Sequence, residues 1–193
     1  MSKPDLFDIE ERKGRQGMSS HQSADMLKDA WLTPPDQILK PLGAFKLDPC
    51  SPLNRPWDTA ELHYTIVDNG LLKPWRGRVW LNPPYGGPEI VGPWMRRMVE
   101  HGHGTALIFA RTETALFFET VWRAATAALF IEGRLHFHHG ARTFVSRLDK
   151  WFEIGERAAA NAGAPSVLVA YGEDDAAILK TCGINGQYIR LKQ

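Results

Sequence analysis

The stretch that most constrains the fold is Val79-Trp80-Leu81, followed directly by Asn82-Pro83-Pro84-Tyr85-Gly86. Three large apolar residues read as a buried strand, and two consecutive prolines end it, because proline donates no ladder hydrogen bond and holds φ near about −65°. Asn82, Pro83, Pro84 and Tyr85 are thereby set at a strand's carboxyl end, where open α/β sheets bind their ligands.

Each of these residues offers a distinct group. Asn82 presents a carbonyl acceptor and an amide donor, Pro83 and Pro84 present backbone carbonyls without competing N–H groups, and Tyr85 adds a flat face. Acceptors beside an aromatic platform suit a planar heterocycle that carries an amine, since the acceptors take the N–H bonds and the ring stacks on the heterocycle. The alternative for the same residues is a strand-to-loop turn with a buried Tyr85.

Asn82-Pro83-Pro84-Tyr85 resembles the catalytic motif of amino-group methyltransferases that use S-adenosylmethionine and act on adenine or cytosine amines, RNA bases or glutamine side chains. More of the chain is similar to phage-type DNA N6-adenine methyltransferases. The similar stretches are Trp31-Leu32-Thr33-Pro34, Leu47-Asp48-Pro49-Cys50, Asn69-Gly70-Leu71-Leu72 before Trp75, the Asn82 motif, Ala110-Arg111-Thr112-Glu113-Thr114, Phe130 through Phe137, and Ala164-Pro165-Ser166, all in one order.

The resemblance implies a compact, three-layer Rossmann-like class I methyltransferase fold, α/β with a mostly parallel sheet. It implies methyl transfer from S-adenosylmethionine to the N6 amine of adenine in DNA, with the base flipped out onto Tyr85 and held by Asn82 and the Pro83 carbonyl. Asn82, Pro83, Pro84 and Tyr85 would then be catalytic, and Thr33, Pro34, Asp48, Pro49 and Asn82 would lie on the cofactor. Two alternatives stay open: the same chemistry on RNA or a protein glutamine, and a non-catalytic DNA-binding protein on a decayed methyltransferase scaffold. The second is motivated by the loop Pro49-Cys50-Ser51-Pro52-Leu53-Asn54, which lacks the glycines that usually permit close backbone approach to a cofactor.

Read from the residues, Ala44-Phe45-Lys46-Leu47-Asp48 alternates and ends in Asp-Pro, predicting a first strand with a carboxylate at its ligand end. Only residues 49–81 separate Asp48 from the Asn82 motif, so the sheet is compressed there. Tyr64-Thr65-Ile66-Val67 is the expected second strand, placing Asp68 for ribose hydroxyls, with Asp58 as the competing acid. Thr33-Pro34 reads equally as a helix entry anchored by Trp31, with Asp36 capping a short helix through Leu39.

Beyond the motif, Gly86-Gly87-Pro88 is a flexible link to a helix over Ile90–His101, with Trp94, Met95 and Met98 inward. Residues 104–110 read as a buried parallel strand ending at Arg111, which contacts cofactor or DNA backbone or else serves as a helix-entry residue before a helix over 115–125. Further strands are expected over 127–131 and 167–171, with Asp174-Asp175 capping a final helix. Between them, 138–163 reads as an insertion suited to contacting DNA. Phe137 is a candidate second face for the base, or else core.

The 193 residues suit one domain, and 44% hydrophobic with 23% charged residues is ordinary for a globular chain. The expected organisation is a mobile tail over residues 1–27 and one methyltransferase domain over 28–193. A net charge of +1 does not by itself indicate a nucleic-acid partner. The charge is uneven, however: Lys73, Arg76, Arg78, Arg96 and Arg97 face one acid, Glu89, in their stretch, and Arg134, Arg142, Arg147 and Lys150 face Asp149 in theirs. Arg111, Arg134, Arg142 and Arg147, with Tyr85 and Phe137, are the candidate DNA contacts. Cys50 and Cys182 have no paired spacing, and His136, His138 and His139 lack companion ligands, so neither a disulfide framework nor a metal site is expected. With no leader pattern and no apolar run of membrane length, a cytoplasmic setting is expected, that of a bacterial host for a phage gene, with the oligomeric state open between monomer and homodimer.

Overall fold

The computed structural model describes residues 31–192. The expected tail over 1–27 lies outside the described residues. In chain order the elements are β1 (Trp31–Leu32), a wide helical turn (Pro35–Leu39) running into α1 (Lys40–Leu42), β2 (Leu47–Asp48), β3 (Leu62–His63), β4 (Val79–Leu81), α2 (Pro88–His101) and β5 (Gly104–Phe109). They continue with α3 (Ala115–Phe117) and a second wide turn (Phe118–Trp122), β6 (Ala127–Ile131), β7 (His138–His139), β8 (Thr143–Val145), a 3-10 turn (Ser146–Leu148) and β9 (Lys150–Phe152). The chain closes with β10 (Ser166–Tyr171), α4 (Glu173–Thr181) and β11 (Gly186–Arg190).

Seven strands form one sheet in the order β11-β6-β10-β5-β4-β2-β3. Side chains alternate across it. Trp80, Leu107, Leu168 and Ala170 join the cluster under residues 35–42 and α4, while Val79, Leu81, Ala106, Ile108, Val167 and Val169 join the cluster under α2 and α3. Helices therefore cover both faces, which explains why the central strands read as unbroken apolar runs: Val79, Trp80 and Leu81 are all 0% exposed.

The expected mostly parallel sheet is instead mixed. β3, β2, β4 and β5 run parallel, whereas β10 is antiparallel to both β5 and β6, and β11 is antiparallel to β6. A run such as Val167-Leu168-Val169 is buried on both faces in either direction, so its composition carries no directional signal.

Several local expectations are also corrected. The second strand is Leu62–His63, and the run from Thr65 turns back on itself, leaving Ile66 86% and Val67 80% exposed. The turn wins because the Asp68 carboxylate accepts from the Thr65 amide and hydroxyl at 2.9 and 3.0 Å, while the Asp68 amide donates to Thr65 O. Asp36 lies in the first turn of its helical stretch and pairs with Lys40, instead of capping. Asp175 is no cap either: it is buried under the sheet, accepting from Thr105 Oγ1 at 2.7 Å and from Arg78 Nε at 2.9 Å. The helix expected over 115–125 ends at Trp122. Strand β11 went unread because its largely exposed edge position imposes no apolar alternation.

The segment 138–163, between β6 and β10, carries strands outside the main sheet. β7 pairs antiparallel with β1, and β8 pairs with β9 as a separate hairpin. Among the described residues no helix is long and apolar enough to cross a membrane.

Candidate functional site

The chain leaves β2 for β3 on one side and returns to β4 on the other, so the strand order reverses between β2 and β4. Leu47 lies opposite Val79, which brings Asp48 at the end of β2 and Asn82 just past β4 to the same end of the sheet. A crevice outside the carboxyl ends of two such strands is where an open α/β sheet holds a ligand.

Asn82 is fixed from both ends of its amide. Its Nδ2 donates to Trp31 O at 3.2 Å, and its Oδ1 accepts from the Tyr85 hydroxyl at 3.0 Å. These two bonds settle which way the amide points and leave one lone pair of Oδ1 for another donor. The Tyr85 hydroxyl is therefore not incidental, contrary to a reading of the residue as a face alone. Burial pushes the Tyr85 pKa well up, with the neighbouring Cys50 adding to the rise, so the phenol stays protonated and remains a donor.

The Tyr85 ring lies 4.5 Å from Phe109, tilted by 33°, and meets Phe137 edge-on at 5.6 Å. Phe137 is 5% exposed and belongs to the core under residues 35–42, so it backs Tyr85 instead of offering an open second face. Phe109, at the end of β5, is the aromatic neighbour that sequence reasoning did not single out. An apolar pocket opens beside the pair, lined by Pro83, Val91, Met95, Ile108, Leu116 and Phe117, with Arg111 and Thr114 among its polar members.

Asp48 is buried at 3% exposure. It accepts from Thr59 Oγ1 at 2.5 Å and from the Cys50 amide at 3.1 Å. Burial raises its pKa to about 6, against the opposing pull of Thr59, the Cys50 amide and the Arg55 charge. Cys50 Sγ in turn donates to Asn82 O at 3.2 Å, joining the loop after β2 to the motif after β4. Both cysteines are free, and burial raises the Cys50 pKa, with the nearby Asp48 adding to it, so its thiol is a structural donor.

A neighbouring segment packs closely against the loop after Asp48 through a glycine. A Cβ on Gly70 would sit 1.9 Å from Pro49 O, so only glycine lets the 69–70 turn close against that loop. The two segments line a cavity with Pro49, Cys50, Thr65, Ile66, Gly70, Pro84 and Trp94.

Thr33 and Pro34 are buried at the start of the helical stretch 35–42, and the Thr33 hydroxyl has no hydrogen-bond partner among the described residues. Asp68 accepts from the Thr65 amide and hydroxyl, in the turn whose Thr65, Ile66, Asn69 and Gly70 line the cavity beside Pro49 and Cys50. Asp58 pairs with Arg55 on the open cleft between the loop after β2 and the hairpin. Arg134 donates to Ala162 O at 3.2 Å, Arg142 pairs with Glu153 at 2.9 Å, and Arg147 stands exposed in the hairpin turn. His136 and His138 contact the carbonyls of Ala158 and Gly155, and among the described residues no three His, Cys, Asp or Glu side chains converge as a metal site.

The site thus has a buried acid and an anchored amide–phenol pair at the switch point of a mixed α/β sheet, where such sheets hold their ligands. A family model for the DNA N-6-adenine-methyltransferases (Dam) matches residues 20–169, and the chain belongs to that family. The DNA N-6-adenine-methyltransferase of Escherichia phage T1 is 27% identical over 134 residues, which cover 63% of this chain and 56% of that protein. The chain therefore spans a little over half the length of that relative. No solved structure matches it.

Proposed function

We propose that the chain, as a single domain over 28–193 with a three-layer Rossmann-like class I methyltransferase fold, transfers a methyl group from S-adenosylmethionine to the N6 amine of adenine in DNA. The observation that carries this reading is the anchored Asn82 amide beside Tyr85 at the sheet's switch point, with Asp48 at the adjoining strand end. Family membership supports DNA over RNA or protein glutamine.

The residues fit the cofactor. The Thr33 hydroxyl is 2% exposed and unpartnered among the described residues, a cost that a polar ligand atom would relieve. Asp48 is the acceptor suited to an ammonium, and Pro34, Pro49 and Asn82 complete the cofactor set. S-adenosylmethionine supplies an electrophilic methyl group on a sulfonium.

Everything else falls to the chain's own side chains. The free lone pair of Asn82 Oδ1 and the Pro83 carbonyl accept hydrogen bonds from the two amine N–H groups, which aims the nitrogen lone pair for attack, and the surplus proton of the methylated amine passes to water. Tyr85 holds Asn82 in that orientation and presents its ring to the extruded base, and Phe109 and Phe137 fix the Tyr85 ring. Catalysis rests on positioning and on preorganised acceptors in a dry site.

The test offers the protein duplex DNA, RNA and a glutamine-containing peptide in parallel, with labelled S-adenosylmethionine. Label in DNA alone supports the reading. Calorimetric binding of S-adenosylmethionine without transfer to any of the three would establish a non-catalytic scaffold instead.

A further inference from the structure

We propose that the β8–β9 hairpin is a DNA-contacting wedge whose Phe144–Trp151 pair stacks on nucleobases beside the target adenine. The inference rests on the reading that DNA is the substrate. Phe144 and Trp151 face each other across the hairpin, rings 5.2 Å apart, and are 45% and 50% exposed. The opposite face is anchored: Phe152 is 6% exposed and its ring lies 4.9 Å from that of His139 in β7. A two-stranded ribbon has one face to bury, and here the buried face takes one aromatic while the outer face keeps two in water. Leu148, in the 3-10 turn that joins the two strands, is also 45% exposed. Adjoining exposed apolar groups of this kind mark a contact surface.

The surrounding charge selects the partner. The Arg142 guanidinium lies 4.3 Å over the Trp151 ring, while Arg147 in the turn and Arg157 at the root have no side-chain partner among the described residues. Lys150 reaches Glu156 at 3.5 Å, and Arg142 is held to Glu153. Stacked aromatic and guanidinium planes ringed by cations fit a nucleobase with its phosphate, whereas an apolar protein surface has no use for the cations.

The position is also right. His139 pairs with Trp31, whose carbonyl holds the Asn82 amide. Residues 139–144 span at most about 18 Å of chain. With the Trp31–His139 pair and the Trp31–Asn82 contact added, the hairpin lies within roughly 30 Å of Asn82, about nine base-pair steps at roughly 3.4 Å each.

The experiment measures binding of the whole chain to a random-sequence DNA duplex pool in the presence of S-adenosylhomocysteine, together with methylation kinetics, cofactor affinity and a melting curve. Trp151→Ala should weaken DNA binding and raise the KM for DNA by about 5- to 100-fold, with cofactor affinity and melting unchanged. Phe144→Ala, on the other strand, should act in the same direction, and Trp151→Phe should retain most of the wild-type affinity. Arg147→Gln should lower the slope of log affinity against log salt by about one. If the wild type methylates DNA and both alanine variants keep its KM and affinity, the wedge is refuted while the substrate reading stands. Loss of a concentration-dependent dimer in Trp151→Ala, with DNA binding intact, would also refute it by making the patch a contact between copies. A wild type that methylates RNA or peptide and no DNA refutes both.

Discussion

Titrating the buried Asp48 carboxylate through the mildly acid range should weaken cofactor binding. Its pKa is raised to about 6 because burial outweighs the help of Thr59, the Cys50 amide and Arg55. If the ionised form receives the cofactor's ammonium, the apparent dissociation constant scales as 1 + 10^(pKa − pH), so affinity falls about tenfold from pH 7 to pH 5. An ordinary surface carboxylate would give almost no change over that range. The same shift has the opposite sign for the free protein. A carboxyl whose folded pKa lies above its unfolded value binds protons more tightly when folded, so its contribution to stability is full below about pH 4 and is lost as pH rises through about 6. The loss amounts to about 3 kcal/mol for a shift of this size. Calorimetry of S-adenosylmethionine binding between pH 5 and 7, paired with melting curves, reads both effects. Asp48→Asn should bind weakly at every pH and lose the dependence. His63, held below the ordinary histidine value by burial and Arg55, lies opposite Asp48 in the β2–β3 pair, so His63→Gln is the control and should retain the dependence. Cofactor affinity that stays flat from pH 5 to 7 in the wild type would refute the assignment of Asp48.

Three further outcomes follow from the site. Thr33→Val removes a buried hydroxyl that has no partner in the free fold, so the melting temperature should hold or rise while cofactor affinity drops about 2- to 12-fold; a lowered melting temperature with unchanged affinity would make Thr33 structural. Gly70→Ala forces a methyl group against Pro49 O and should cost about 1–3 kcal/mol of stability by thermal melting, with weaker cofactor binding; a neutral result would show that the 69–70 turn does not need its close approach. Tyr85→Phe deletes the donor that orients Asn82 and should lower kcat about 2- to 12-fold with cofactor affinity unchanged; an unaltered kcat would return the hydroxyl to an incidental role.

Much of the site was legible because it stands where strands end. Leu47-Asp48 and Val79-Trp80-Leu81-Asn82 each announce a buried strand and its polar exit, and the structure brings both exits together. Less legible was whatever depends on a partner far away in sequence. Nothing around Thr59 marks it as the donor to Asp48, and nothing in Trp31 shows that its carbonyl holds Asn82, since backbone groups carry no sequence signal. The close approach of Gly70 to Pro49 likewise depends on the pairing of β2 with β3. The misread strand at 64–67 has a local cause: β-branched residues favoured extension, and one carboxylate, Asp68, closed a turn that overrode them. The Asp174-Asp175 pair misled in the same way, because an acid at a helix start reads as a cap unless the Arg78 beneath it is known.

The most direct test of the central claim is to incubate unmodified duplex DNA with S-adenosylmethionine and either the wild type or Asn82→Ala, digest the DNA to nucleosides and quantify the products by mass spectrometry. N6-methyl-2′-deoxyadenosine is expected from the wild type. About 100-fold less or lower is expected from Asn82→Ala, with cofactor affinity preserved, because the lost acceptor addresses the amine. Methylation of cytosine in place of adenine, or near-normal N6-methyl-2′-deoxyadenosine from Asn82→Ala, would contradict this.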